Sequence, residues 1–494
     1  MSSIMETQID VLTLNVGGRN TNIYEFDMNT TSAKETPLGK LWLQRRNYGM
    51  EILTAVGPSQ ILKNPDSGFA DALKNIQSNF GEKDLATCGS SWFNSMLQES
   101  ETWYDFLKTL NDNVPRATTT LNILTLSKGR PSPLEAPENC VLEGSTPNTL
   151  SEFMDVWQRW LASVDTSKWI DIANSKDLSL YTCVASMFVF DVMSFNVVLA
   201  MFHDIEDSKY LARHLDFSKQ FAFFSASGKY KKLADVLKSS NWPDVVCLQE
   251  AGSLAADESQ LAHFPDDLKT SIETINNNYY VFSSSGKETM LLVNKNTYGM
   301  KNTYGHELIS LDSFKKSIAS RDNKKQISQW MSNLEKFVAV TVHCENGKSY
   351  VFSAGHCSAS TDTADYMALL KREMQNAVPY SKLFVLGVDS NCTSKERTHF
   401  LEELYKMQML STSEKFDETD VTVSKKRTPM QAQVSKTSVH DASLKDFVLA
   451  WDHEDVVGEH QLMLPILNSE VDLLPTDEWP FDHSAVWRTI NIKP

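Results

Sequence analysis

The stretch Glu478-Trp-Pro-Phe-Asp-His-Ser-Ala-Val486, close to the C-terminus, decides how this chain is read. It sets an acid and an imidazole, Asp482 and His483, just before a short apolar run of strand type. One side chain offers an oxygen suited to a metal, the other a nitrogen suited to a phosphate. Asp-His pairs arise often by chance, so the weight of this one comes from what precedes it. Leu12-Thr-Leu-Asn15-Val-Gly-Gly18, Asp244-Val-Val-Cys-Leu-Gln-Glu250, Phe352-Ser-Ala-Gly-His356, Leu386-Gly-Val-Asp389-Ser-Asn391 and Lys445-Asp446-Phe-Val-Leu449 each put a metal-capable or phosphate-capable side chain at the end of an apolar run. Strand ends of this kind, in this order, predict a single active site.

Ile9 to Val16 reads as a first strand that closes in a glycine turn. The next strand of the same character is Val245 to Gln249, introduced by a helical stretch, Tyr230 to Ser239, and a Trp-Pro-Asp turn. Between them apolar residues recur at helical spacing. Trp92, Phe93, Met96, Trp103, Phe106, Leu107 and Leu110 form one series; Phe153, Val156, Trp157, Trp160, Leu161 and Val164 form another. A Pro/Ser/Thr-rich span over 115–149 predicts a long loop. The expected organisation is a first strand within residues 1–29, a mostly helical insertion over 30–228, and the remainder of a β-rich domain over 229–494.

After Val245 strands dominate. Tyr279 to Ser283, Met290 to Asn294, Phe337 to Val342, Tyr350 to Ala354, Leu383 to Gly387, Phe447 to Ala450 and Ala485 to Ile490 are short and rich in Val, Phe and Tyr. Helices are expected at Ser313 to Leu334, Ala364 to Asn376 and Lys395 to Met407. Such alternation implies a layered α/β arrangement.

The 494 residues suffice for a large core, and 41% hydrophobic with 22% charged residues is ordinary for a globular chain. With 47 basic and 63 acidic residues the net charge is 47 − 63 = −16. That weakens a reading as a sequence-blind duplex binder, which is usually basic. It leaves room for a metal-dependent phosphoesterase, whose divalent ion supplies local positive charge. Seven cysteines without CxxC spacing fit reduced intracellular thiols rather than a disulfide framework. Met1 to Asp10 lacks a basic and apolar leader, so no signal peptide is expected. Ser179 to Phe202 is apolar enough to suggest a membrane span, but Asp191 at its middle makes a span costly and a buried helix the better reading.

Taken in order, these motifs resemble the endonuclease/exonuclease/phosphatase superfamily, over residues 8–18 and 230–494. The resemblance implies a four-layer α/β sandwich, two central sheets flanked by helices; the helical insertion after the first strand lies outside it. It implies Asn15, Glu250 and Asp482 around Mg²⁺, with Mn²⁺ as the alternative, since hard carboxylate and amide oxygens suit these ions. Asp389 is implied as the base for the attacking water, with Asn391 and His356 on phosphate oxygens. Asp446 would orient His483, which would stabilise charge on phosphorus. His343 rivals His356 but lies a strand earlier.

Two motifs depart from the family pattern: an extra residue separates Gly387 from Asp389, and Phe481 stands where relatives carry serine. Arg427, Gln431 and Lys436, in a basic segment of an acidic protein, are expected substrate contacts, with a solvated loop as the rival reading. The activity implied is phosphodiester hydrolysis, foremost on DNA or RNA. The alternatives are hydrolysis of a small phosphoester (nucleotide, inositol phosphate or lipid headgroup) and a non-catalytic binding module. The helical insertion is a candidate surface for a protein partner.

Overall fold

Apolar side chains alternate along the central strands, and the alternation sorts them into layers. In the first strand Ile9 and Val11 enter one buried cluster, whereas Leu12, Leu14 and Val16 enter another. In the strand Leu383–Asp389, Leu383 and Val385 join the first of these, while Phe384, Leu386 and Val388 join a third. A period of two on a strand buried on both faces produces this pattern.

The structure is a computed structural model. It describes residues 7–17, 36–64, 67–80, 89–113, 130–131, 133, 147–165, 169, 173, 179–206, 209–221, 226–262, 264–298, 303–344, 347–358, 362–393, 395–410, 416, 420–427, 439–451, 456–464, 474 and 479–492. The chain divides into two compact units: Met1–Asn20, Phe223–Lys425 and Asp441–Pro494 form one, Thr21–Ala222 and Lys426–His440 the other.

The first unit is α/β. The strands, of which β9 and β10 are only partly in this unit, are β1 (Thr7–Asn15), β2 (Val245–Gln249), β3 (Tyr279–Ser283), β4 (Met290–Asn294), β5 (Thr303–Leu308), β6 (Phe337–Cys344), β7 (Ser349–His356), β8 (Leu383–Asp389), β9 (Val423–Arg427), β10 (Val439–Ser443), β11 (Asp446–Trp451), β12 (Val456–Leu464) and β13 (Ala485–Ile492). One sheet has the order β12-β13-β1-β2-β4-β3 and the other β11-β8-β7-β6-β5, while β9 and β10 pair with each other. Both large sheets are mixed: β1 and β2 are parallel, as are β7 and β8, and their other pairings are antiparallel.

The cluster shared by the sheets joins Val11, Val245 and Leu291 of one to Val340, Phe352 and Val385 of the other. The sheets approach closely at Gly387, where a Cβ would fall 2.3 Å from Cys247 Cβ and 3.1 Å from Thr13 Cβ. This explains the displaced glycine of the Asp389 motif: Gly387 serves sheet packing rather than the turn. On the outer faces, the helices Ala226–Ser239 and Asp266–Asn278 cover the first sheet. Lys324–Glu335, Thr363–Ala377 and Arg397–Lys406 cover the second. Two mixed sheets flanked by helices result.

The helix expected at Ser313 to Leu334 is two helices, Asp312–Ala319 and Lys324–Glu335. Asn323 caps the second through hydrogen bonds from Lys325 and Gln326 N–H, and Arg321 stacks on Trp330 at 4.0 Å. The break thus has a local cause in capping.

The second unit is helical among its described residues, with Pro37–Ala55, Phe69–Phe80, Ser90–Glu99, Trp103–Asn113, Leu150–Ser163, Leu180–Met201 and Tyr210–Lys219 among its helices. Leu180–Met201 is long and apolar enough to cross a membrane by length and composition, yet most of it is buried in the protein. Its Asp191 is fully buried, with Oδ2 held by Arg130 Nε at 3.1 Å and Trp157 Nε1 at 2.9 Å. Cys183, Cys247, Cys344, Cys357 and Cys392 are free and buried, while Cys88 and Cys140 lie outside the described residues.

Candidate active site

Parallel pairing brings Asn15, at the end of β1, level with Gln249 of β2, so Glu250 follows directly beside it. Glu250 breaks from the strand with φ 54°, an uncommon conformation for a residue with a Cβ. Its successor is pinned by Ala251 N–H donating to Glu288 O at 2.9 Å. Asn15 Nδ2 donates to Glu250 Oε1 at 3.3 Å and to Asp389 Oδ2 at 2.9 Å, while its Oδ1 accepts from Gly17 N–H at 2.8 Å. Because Asp389 ends β8 in the other sheet, this amide ties the sheets together at the site.

The second sheet delivers three side chains on one level. Register sets His356 of β7 opposite Asp389 of β8, and Asp389 opposite Asp446 of β11. Asp389 is 1% exposed and divides its oxygens: Oδ1 accepts from Asn391 N–H at 2.8 Å, while Oδ2 faces Asn15, His356 Nε2 at 3.7 Å and His483 Nε2 at 4.0 Å. The Asx turn therefore fixes the acid without occupying it. Asn391, at φ 47°, turns its Nδ2 to Cys357 O at 2.7 Å and His356 Nε2 at 3.0 Å.

His356 is anchored from behind, Nδ1 to Glu288 Oε1 at 2.5 Å, and Glu288 is held by Lys336 at 2.9 Å. The rival His343 points elsewhere, to Ser349 Oγ at 3.0 Å and Glu307 at 3.7 Å.

His483 is buried, with Nδ1 on Asp446 Oδ2 at 2.8 Å. Thr422 Oγ1 donates to the same oxygen at 2.7 Å and accepts from Asp446 N–H at 3.1 Å. Trp479 Nε1 holds His483 O at 2.8 Å, and Phe481 fills the core beside Trp479. Phe481 thus acts by packing where a serine would bond. Asp482 lies 4.0 Å from His483 Nε2 and is ion-paired with Lys425.

Burial opposes ionisation of Asp389, but His483 and His356 outweigh it and hold the carboxyl below its usual range. Burial would also neutralise His483; Asp446, Asp482 and Asp389 reverse this and raise it to about 9. His356 is raised against burial by Glu288, Asp389 and Glu250. Burial pushes the Asp446 carboxyl up despite His483, and its Oδ1 has no hydrogen-bond partner among the described residues. Asp482 lies far below the carboxylate range, because Lys425, His483 and Lys229 overcome its burial. The site therefore lowers the Asp389 and Asp482 carboxyls beside imidazoles whose basicity is raised, a perturbation typical of functional sites.

Asn15, Glu250, His356, Asp389, Asn391, Asp446, Asp482 and His483 are thus linked by the contacts above. Arg427 closes β9, whereas Gln431 and Lys436 lie outside the described residues. Sequence reading missed Glu288, Thr422, Lys229 and the role of Lys425. Lys425 lies in the basic segment singled out above, whereas Glu288, in the Gly286-Lys287-Glu288 turn before β4, has no local sign of its partner.

Glu250, Glu288 and His356 each bring a ligand atom within 4.8 Å of the others, and so do Asp389, Asp446 and His483. Glu250, with its side chain 37% exposed, offers a carboxylate to an ion that keeps much of its water. These oxygens fit a hard divalent cation. A cavity of about 480 Å³ opens beside Glu250 and Glu288, lined further by Lys287, Gln260, Tyr230 and Phe264.

No family model and no curated protein sequence matches the chain. Solved structures do. D. rerio TDP2 complexed with single strand DNA product shares 13% identity over 53% of this chain and 91% of its own, with TM-score 0.34. The endonuclease/exonuclease/phosphatase from Bacteroides vulgatus shares 13% over 55% and 94%, with TM-score 0.33. The human Nocturnin catalytic domain with bound sulfate anion shares 14% over 53% and 87%, with TM-score 0.31. Such identities and scores decide nothing about substrate. Among solved structures, this chain is similar to endonuclease/exonuclease/phosphatase proteins, the family its motifs resemble.

Proposed function

We propose that the chain is a divalent-metal-dependent phosphoric ester hydrolase. The observation that carries this is Asp389: an ionised, buried carboxylate whose Oδ2 faces an amide and two raised imidazoles, beside the half-exposed carboxylate of Glu250. Neutral hydrophobic packing gives no reason to collect these groups, whereas a phosphoryl group under attack by water uses all of them.

Glu250 would hold Mg²⁺ or Mn²⁺, with Asn15 keeping Glu250 and Asp389 at fixed separation. When bound, the ion supplies Lewis-acid neutralisation of phosphoryl charge. Asp389 Oδ2 aligns the water for in-line attack and accepts its proton. Its depressed basicity limits it as a proton sink. His483, cationic at neutral pH, stabilises charge developing on the phosphoryl oxygens, with its tautomer fixed by Asp446. His356, braced by Glu288 and positioned by Asn391, contacts the same group.

The substrate proposed is nucleic acid, read at the basic segment by Arg427, Gln431 and Lys436. A small phosphoester is the second reading, favoured by the net charge of −16, which disfavours long polyanions. A panel of labelled single- and double-stranded nucleic acids, nucleotides, inositol phosphates and lipid headgroups, each with Mg²⁺ or EDTA, separates them. Cleavage of nucleic acid that EDTA and Glu250→Ala both abolish supports the first. Activity on small esters alone selects the second. Absence of hydrolysis across the panel sinks both.

A further inference from the structure

The family resemblance implies Asp482 as a metal ligand, but its surroundings suit another task. Lys425 Nζ is bonded directly to Asp482 Oδ2, and both side chains are about nine-tenths buried. Lys229, in the helix Ala226–Ser239, is 3% exposed, donates to Gly17 O at 3.0 Å and acts electrostatically on the same carboxylate. Gly17 makes room for both: at φ 72°, its Cβ would fall 2.8 Å from Asp482 Oδ1 and 3.1 Å from Lys229 Nζ. On the remaining side His483 Nε2 stands 4.0 Å from Oδ2. Lys425 also acts on Asp441, whose bonded partner is Lys445 at 2.9 Å.

A carboxylate enclosed by two ammonium groups and an imidazole is already neutralised. A divalent ion placed on it would sit against those cations in a dry pocket, where like charges repel strongly. Glu250 also faces an imidazole, His356 Nε2 at 4.0 Å, but its hydrogen-bond partner is a neutral amide rather than an ammonium group and its side chain is 37% exposed.

The geometry points to a division of labour in which Glu250 alone of the two carries the divalent ion. Asp482 is a positioning residue that fixes Lys425 and Lys229 beside His483. The two ammonium groups held there place positive charge beside His483 in place of a second metal. This rests on the phosphoester-hydrolase reading and specifies the charges of that site.

The test counts Mn²⁺ bound per full-length chain by electron paramagnetic resonance, together with its dissociation constant. Asp482→Asn/Lys425→Met removes the ion pair without changing net charge. It is expected to leave affinity within about twofold, as for a site not touched. Glu250→Gln is expected to weaken it by roughly tenfold or more. Lys425→Met, which bares the carboxylate, is expected to add a second bound Mn²⁺.

A loss of roughly tenfold or more in the double variant, as for a true ligand set, overturns this inference alone. If that variant fails to fold, an unchanged Mn²⁺ count and affinity in Lys425→Met overturns it instead. Wild-type protein that binds no Mn²⁺, or Glu250→Gln protein that binds as well as wild type, overturns the hydrolase reading as well.

Discussion

Replacing Asp446 by asparagine removes the carboxylate that does most to keep His483 charged, with almost no change of shape. In the wild-type site burial alone would neutralise the imidazole, yet it is raised to about 9, and Asp446, bonded at 2.8 Å, leads the groups that raise it. An opposite charge at such range is worth about 1–3 pKa units. A loss of about two units moves His483 to near 7, so at pH 8 its protonated share falls from about nine-tenths to about one-tenth. Titration alone then lowers the rate about tenfold at pH 8. Loss of the fixed tautomer adds to this, for a total of roughly 10²–10⁴-fold, the usual worth of a positioned acid or base.

The sign follows from linkage. A histidine raised on folding contributes stability that is complete below its unfolded pKa of about 6.5 and is lost as pH rises through the folded value. In Asp446→Asn protein both that stability and the cationic form should disappear at lower pH. The net stability change is moderated because burial costs the Asp446 carboxyl as well. The assay is the kcat/KM profile from pH 5 to 10, paired with NMR titration of the imidazole. A basic limb that stays near pH 9 in a folded variant would refute the reasoning.

Gly387→Ala should destabilise by about 1–3 kcal/mol or more, since the new Cβ meets Cys247 Cβ at 2.3 Å and neither sheet can withdraw cheaply; urea unfolding with an unchanged midpoint would contradict this. Glu288→Gln should lower the His356 titration midpoint, because the carboxylate is the nearest of the groups that raise it; an unmoved ring titration would show that Glu288 does not brace it. Asn15→Ala should reduce kcat far more than stability, since the amide's work is to hold Glu250 and Asp389 apart; equal kcat in the folded variant would remove it from the site.

The candidate site was legible because its polar side chains stand at strand ends, after apolar runs that are themselves easy to read. His356, Asp389 and Asp446 fall level only through strand pairing, which local sequence does not state. Lys229 shows the limit: a lysine in the first turn of a helix reads as solvated, and its burial is beside Asp482, which arrives from the far end of the chain. Glu288 sits in a turn whose composition says nothing about the imidazole it meets.

Two edge strands were missed for a related reason. β5 carries Tyr304, His306 and Glu307 and leaves Leu308 59% exposed, and β12 holds Gly458, Glu459, His460 and Gln461 around a register shift. An edge strand has one neighbour and needs little apolar alternation. The extra residue after Gly387 was legible as a departure, but its packing cause required the second sheet.

The central claim is that residues from both sheets act on one phosphoryl centre. A double-mutant cycle on kcat with Asp389→Asn and His483→Ala, using the best phosphoester of the panel with Mg²⁺, tests it most directly. Groups that work as a unit are strongly non-additive, so the double variant should lose little more than the worse single variant, each falling by roughly 10²-fold or more. Losses that multiply, or a single variant with wild-type kcat, would contradict the account.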